Sequence, residues 1–375
     1  MKAVAFCQKM DVTAFFFEKE MQTPQNIKRK DYHALRVILL LLIAIIIMTL
    51  ICIFVGSSNM SIKEGWNALT FNGTEAYQRI IWKIRIPRVL AAIIAGAGLS
   101  VSGLVMQTTL NNSMASPSTL GVSHAAVFGA NLSIIAFAGG FVSTGNNVMN
   151  YTVGTNPYST SIMAFLFSTA SILLILSLCK IKSFSPNVVV LAGIAVGSLW
   201  TAATTILQFY ATDVGLSAAV VWSFGDLARA TYKTVGIMFV IVTAGIAFFQ
   251  TMAWPLNALL SGEATAGSMG IHVSRLRFSC LLLASVITAV CVSFLGIIGF
   301  VGIICPHVTK KLIGQDHRFA LPLSSLMGSL LLLIADTLSR SIAHGSALPV
   351  GAITSLLGAP FFIAIIFSSK EGSAC

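Results

Sequence analysis

Apolar residues run through this chain in long blocks rather than in strict alternation. Short polar joints separate ten such blocks: 36–55, 89–107, 117–137, 160–179, 187–209, 233–252, 277–295, 297–313, 320–339 and 350–368. A bilayer core takes about 20 apolar residues in helical form, so blocks of this length predict membrane-crossing helices. The seventh and eighth nearly touch at Gly296, and the eighth is the shortest. The pattern predicts an all-α, polytopic protein with about ten transmembrane helices. It divides into a polar, irregular N-terminal tail over 1–35, one ten-span transmembrane helical domain over 36–368 and a short tail over 369–375. No internal repeat is visible.

Composition supports the membrane reading: 56% of the 375 residues are hydrophobic and only 9% are charged, against roughly 25% charged in a soluble domain. The net charge of +11 does not point to nucleic acid, because the basic residues are scattered between apolar runs. With the N-terminus in the cytoplasm, inner joints carry roughly twice the Lys and Arg of outer joints, as the positive-inside rule requires. Both termini are therefore expected inside. The seven cysteines form no C-x-x-C pair and match no disulfide or metal framework.

Small residues recur at helical spacing, with Ala92, Gly96 and Ser100 four apart, then Gly121, Ala125 and Gly129. Helices in lipid gain most from close backbone approach at such positions, so a tight bundle follows. No G-x-x-x-x-G-K-[ST] loop, H-E-x-x-H or G-x-S-x-G occurs, so no catalytic residue, metal site or cofactor is assigned and no P-loop ATPase activity is expected. Of the acids, only Asp336 lies well inside an expected span. Ion-coupled carriers usually hold more, so the energy is expected from another subunit. A stand-alone secondary transporter or channel is the alternative.

Several ordered motifs resemble the FecCD-type permeases, the membrane subunits of ATP-driven importers for iron–siderophores, haem and vitamin B12. They are R-I-P-R (Arg85 to Arg88), Q-T-T-L-N-N (Gln107 to Asn112), S-T-L-G-V-S (Ser118 to Ser123), G-F-V-G-I-I-C-P-H-V (Gly299 to Val308), D-H-R (Asp316 to Arg318) and L-P-V-G-A-I-T-S-L-L-G-A-P-F-F (Leu348 to Phe362). The resemblance spans about 36–368. It implies the type II ABC importer permease fold in a bacterial cytoplasmic (inner) membrane. The implied partners are two ATP-binding subunits inside, a substrate-binding protein outside, a second permease copy or paralogue, and lipid. An iron–siderophore is the cargo expected first, with haem or cobalamin beside it.

Two joints carry candidate function. In the longest inner joint, Leu256, Leu259 and Leu260 share one helical face, and a short polar hinge follows. The bare pattern fits either an inert interfacial loop or a helix that docks in a partner's groove. L-N-x-L-x-x-G-E-x-x-A-x-x-x-G resembles the family's ATPase-coupling segment, which implies that role for Leu256, Asn257, Leu259, Gly262, Glu263, Ala266 and Gly270. Arginines at a membrane boundary commonly anchor at the interface, and Pro87 stiffens the Arg85–Arg88 pair. By resemblance to the vitamin B12 importers of the family, Arg85, Arg88 and Arg340 would meet acidic groups of the binding protein. The resemblance departs at two points. Ser113 stands where the family has a proline, and His124 where it has a small residue. His124 fits a hydrogen-bonded helix-interface histidine or, with Gln107, a position on the translocation path.

Overall fold

The computed structural model describes residues 24–56, 60–137, 157–181, 184–342 and 348–368. All ten expected spans fall on helices: α1 (Pro24–Phe54), α3 (Glu75–Thr109), α4 (Val122–Phe137), α5 (Pro157–Ile181), α6 (Pro186–Phe209), α8 (Tyr232–Thr251), α11 (Val273–Leu295), α12 (Val301–Ile313), α13 (His317–Ile342) and α14 (Val350–Ser368). Between them lie the shorter α2 (Ile62–Leu69), α7 (Asp213–Ser223), α9 (Ala253–Leu260) and α10 (Glu263–Ser268). Among the described residues, 7 helices are long and apolar enough to cross a membrane. At about 1.5 Å per residue, the 13 residues of α12 fall short of the roughly 30 Å core.

The helices depart from the expected boundaries where local chemistry overrides hydropathy. Helix α1 starts at Pro24, inside the stretch expected to be an irregular tail. Proline suits a first turn, because the N–H it lacks would have had no helical partner there. The rest of the two expected tails, 1–23 and 369–375, lies outside the described residues. Block 297–313 loses its first turn: Gly296 (φ 79) and Phe300 (φ 65) adopt left-handed backbone and break the chain before α12. Helix α7 was not expected. Thr212 caps it by accepting from the Gly215 N–H at 3.2 Å.

Helix α3 is the axis of the bundle. It is buried nearly all round, whereas α1 is exposed nearly all round. Apolar on every face, α3 packs against α8, α11, α12 and α13. Its small residues allow this: a Cβ on Gly96 would sit 2.3 Å from the Gly328 carbonyl oxygen of α13, and one on Gly103 1.8 Å from that of Gly302 in α12. Ser100 donates to the Ser324 carbonyl at 2.7 Å across the same seam. A π-turn over Ile80–Arg85 widens α3 just before Pro87.

Gly103→Val is expected to cost at least about 1–3 kcal/mol by overpacking. It should lower the recovery of monodisperse protein in detergent size exclusion. Gly236→Ala in α8, where a Cβ meets nothing within 4 Å, should match the parent.

Candidate functional site

Buried charged or imidazole side chains are few in this bundle, and they gather at the two ends of α3: Arg85, Arg88, Asp336 and Arg340 at one, Arg277 and His317 at the other. From Arg85 to Thr109 the helix rises about 36 Å, so the two clusters face opposite sides of a bilayer.

At the first end, Asp336 of α13 lies between two arginines. Its Oδ1 accepts from Arg88 Nε at 2.5 Å, and Oδ2 lies 2.8 Å from Arg340 Nη2. The carboxylate is 0% exposed and the two guanidinium groups 5% and 6%. Asp226, on the segment after α7, stands 4.0 Å from Arg88 Nη2. The arginines also close the end of α1. Arg340 donates to the carbonyls of Cys52 (3.0 Å) and Val55 (2.9 Å), and Arg85 to those of Ile53 (2.6 Å) and Phe54 (2.9 Å). Four carbonyls at or beside a helix C-terminus thus receive cationic donors, which also suit the negative end of the helix dipole.

This placement changes the reading of Arg85, Arg88 and Arg340. Expected to face an outside partner, all three are buried, at 4%, 4% and 7% exposure. Arg88 and Arg340 hold an acid of their own chain, Asp336, which lies 248 positions from Arg88 and one helical turn before Arg340. The exposed cations at this end are Lys63, Arg79, Lys83 and Lys233.

At the opposite end, α9 and α10 form a short helical pair joined at Gly262, whose φ of 106 needs glycine. Of the leucine face expected to dock outward, Leu256 and Leu259 are turned inward and Leu260 stays exposed. Leu256 and Leu259 are 0% and 8% exposed and join the core, as does Ala266. Trp254, Leu260 and Met269 form the exposed apolar face instead. Period alone identifies an amphipathic face but cannot say which side of it meets the bundle.

Two polar ties bind this pair to the end of α3. Asn257 Oδ1 accepts from the His317 backbone N–H at 2.8 Å and lies 2.8 Å from Nδ1 of the same ring. His317 Nε2 in turn meets Thr108 Oγ1 at 2.9 Å. Glu263 pairs with Arg277 Nη2 at 2.6 Å, and Arg277 donates through Nε to the Thr109 carbonyl at 2.9 Å and through Nη1 to the Phe184 carbonyl. One residue earlier, Gln107 donates weakly to the Gly302 carbonyl at 3.3 Å and accepts from Lys310 Nζ at 3.0 Å. Three consecutive residues of α3 therefore grip α12, α13 and α11 in turn. Asn257 also donates to Asp316 at 2.8 Å. Burial alone would raise the Asp316 carboxyl, but N–H donors from Arg318 and Asn257 hold it below its ordinary range.

Gln107, expected along a path, is a buried strut at 3% exposure. His124 is exposed, on a groove between α4 and α6. Gly270 (φ 82) ends the loop in open space. Thr108, Thr109, Arg277 and His317 were not assigned from sequence as parts of this end. The polar Q-T-T closing an apolar helix was the one available signal.

Residues 41–368 match the FecCD transport family. The chain belongs to the FecCD transport family. It is 44% identical, over 92% of its length and 98% of the relative's, to a Methanocaldococcus jannaschii protein named as an ABC transporter permease. To the hemin transport system permease protein HmuU of Yersinia pestis it is 33% identical over 88% of this chain and 95% of that one. A solved structure titled as an inward-facing conformation of a metal-chelate type ABC transporter superposes with a TM-score of 0.74 at 26% identity, covering 89% of this chain and 99% of the other. The fold of this FecCD chain is that of an ABC importer permease, as the expected architecture required.

Asp336→Asn leaves two buried guanidinium groups short of a counter-charge and is expected to cost about 3–5 kcal/mol. A lowered unfolding temperature in detergent should report it. Asp213→Asn, at an exposed position, should leave that temperature unchanged.

Proposed function

We propose that this chain is the transmembrane permease subunit of an ATP-binding-cassette importer for an iron chelate, with an iron–siderophore the first choice and haem the second. The haem-carrying relative and the metal-chelate title of the structural neighbour support that cargo class. The carrying observation is the polar hub at Gln107, Thr108 and Thr109, which ties an exposed helical pair to the most buried helix of the bundle. A chain whose sequence has no P-loop motif but which builds such a lever is suited to being driven from outside.

In this reading two ATP-binding subunits sit in the cytoplasm against Trp254, Leu260 and Met269, with the hinge glycines Gly262 and Gly270 allowing the pair to move. Their closure shifts α9 and α10. Asn257 and Glu263 pass that shift through His317 and Arg277 to α3, and the bundle alternates between inward and outward access. The chain works beside a second copy or a paralogue in the cytoplasmic membrane. At the outer end a substrate-binding protein meets the exposed Lys63, Lys83 and Lys233. The buried arginines support that surface from beneath rather than touching the partner.

Two measurements check this assignment. In proteoliposomes holding the whole importer, Glu263→Gln combined with Gly262→Val should reduce cargo uptake at least tenfold while the partner still hydrolyses ATP. Full uptake by that variant, or uphill uptake by the permease alone, would overturn the lever. Separately, the triple variant Lys63→Glu, Lys83→Glu and Lys233→Glu should weaken binding-protein capture at least tenfold at low salt, and less in high salt as surface charge is screened. Unchanged capture would remove the lysines from the docking surface.

A further inference from the structure

One concave surface of the bundle sets several polar side chains among apolar ones such as Met114, Val190 and Ile194, at a depth where lipid offers polar groups no partner. A groove of about 440 Å³ runs between the turn after α3, the start of α4 and the first half of α6. Its polar lining is Asn112, Ser118, Thr119, His124, Ser198 and Thr201. From Pro186 to Thr201, α6 rises about 22 Å, so the groove reaches from the hub end to mid-bilayer depth. Elsewhere the exposed side of the same helix is mainly apolar, with Leu191, Leu199, Ile206 and Phe209 beside Asn187 and Thr205. Polar groups at such depth face protein or a water-filled path.

His124 lines this groove. The imidazole is exposed, and among the described residues its nitrogens have no hydrogen-bond partner. Glycine makes space for it: a Cβ on Gly197 would come within 3.3 Å of His124 Nδ1. The hydroxyls of Ser198 and Thr201 donate to the Ile194 and Gly197 carbonyls of their own helix at 2.9 and 3.0 Å. Their lone pairs are left to the groove. The lining therefore offers an imidazole N–H and an amide as donors, with hydroxyl oxygens as acceptors, and no Lys, Arg, Asp or Glu. A single histidine without a second metal ligand does not hold a metal ion, and no group of three metal-binding side chains occurs among the described residues. What such a lining fits is the outer shell of a chelate, with its carboxylate, hydroxamate or amide oxygens and N–H groups. Neutral contacts of roughly 0.5–1.5 kcal/mol each also let a cargo go, where a buried ion pair would retain it.

Resting on the importer reading above, we infer that this groove is a transient contact site for an oxygen-rich metal chelate on its way inward, and that His124 donates to an oxygen of the chelate shell. The site is coupled to the lever. Asn112 N–H donates to the Gln107 carbonyl at 3.0 Å, so movement of the hub reaches the groove wall directly.

The test uses the assembled importer in nanodiscs, with Cys7→Ser and Cys375→Ser as background. Cys52, Cys179, Cys280, Cys291 and Cys305 are buried. A charged, membrane-impermeant methanethiosulfonate reagent should label His124→Cys at least tenfold faster than Leu40→Cys on the exposed helix α1. Uptake of ferric citrate, a ferric hydroxamate, a ferric catecholate and haemin is then measured with ATP. For the chelates carried, His124→Ala should raise KM about two- to tenfold, the range one hydrogen bond supplies, and His124→Gln should recover part of it. Labelling no faster than at Leu40→Cys shows a dry groove and overturns the site. An unchanged KM for every chelate carried overturns the role of His124. If the wild-type importer carries none of the four, the chelate-importer reading falls and takes the cargo assignment with it. That outcome is distinct from the first two, in which wild-type uptake is intact.

Discussion

A carboxylate without access to solvent, clasped between two arginines, is the contact on which the Arg88 end of this bundle depends. Removing Asp336 from water is costly by itself, and so is burying Arg88 or Arg340. Together they satisfy much of each other's charge, and the remaining guanidinium donors reach carbonyls that the end of α1 leaves open. α1 contributes little other buried surface, since its outward faces are almost wholly exposed. Its attachment at this end is therefore polar and directional, in contrast to the apolar, glycine-mediated seams around α3. The same arginines fix the register of α13 against α3, because Arg88 and Asp336 lie on different helices and admit little sliding at 2.5 Å.

The Gln107 end works by a different principle. There the polar ties are spread over consecutive residues, and each reaches a separate element. Gln107, Thr108 and Thr109 cannot face one direction, because successive helical positions are turned about 100° apart. A displacement of α3 along or around its axis is thus felt by α11, α12 and α13 together. The glycine contacts at Gly96–Gly328 and Gly103–Gly302 leave no slack between those helices through the middle of the bilayer. Rigid packing in the middle, with polar ties to several elements at the Gln107 end, is what a helix needs to pass motion along the bundle.

Much of this architecture was legible in the sequence, because lipid imposes one requirement on every span and block length reports it. The four-residue spacing of Ala92, Gly96 and Ser100 also identified the tight face of α3 correctly. The boundaries were less legible where a cap or a left-handed residue intervened, as at Thr212 before α7 and at Gly296 and Phe300 before α12. Partner choice was illegible. Nothing near Arg88 in sequence reveals that its acid is Asp336, 248 positions on. A charge that looks free in a motif is therefore easily taken for a docking charge. The leucines of α9 failed for a related reason: an amphipathic period is the same whether the apolar side meets a partner or the chain's own core. Asn257 and Glu263 were singled out by resemblance, but their partners His317 and Arg277 emerge only from the fold.

The distribution of acids bears on what drives the cycle. A carrier powered by an ion gradient uses a carboxylate that binds and releases a cation as access alternates. Among the described residues, the one acid deep in the bundle is Asp336, and its two oxygens already face guanidinium groups at 2.5 and 2.8 Å. Freeing it for a proton or sodium ion would leave two buried cations without their counter-charge, a cost of about 3–5 kcal/mol. The acid placed to move is Glu263, which is half-exposed on the loop and bonded to a guanidinium that also holds α3. Arg277 grips Glu263, the Thr109 carbonyl and the Phe184 carbonyl at once. An ångström of loop motion must therefore break a charged contact or carry the helix with it. The arrangement favours force delivered from outside over charge carried within.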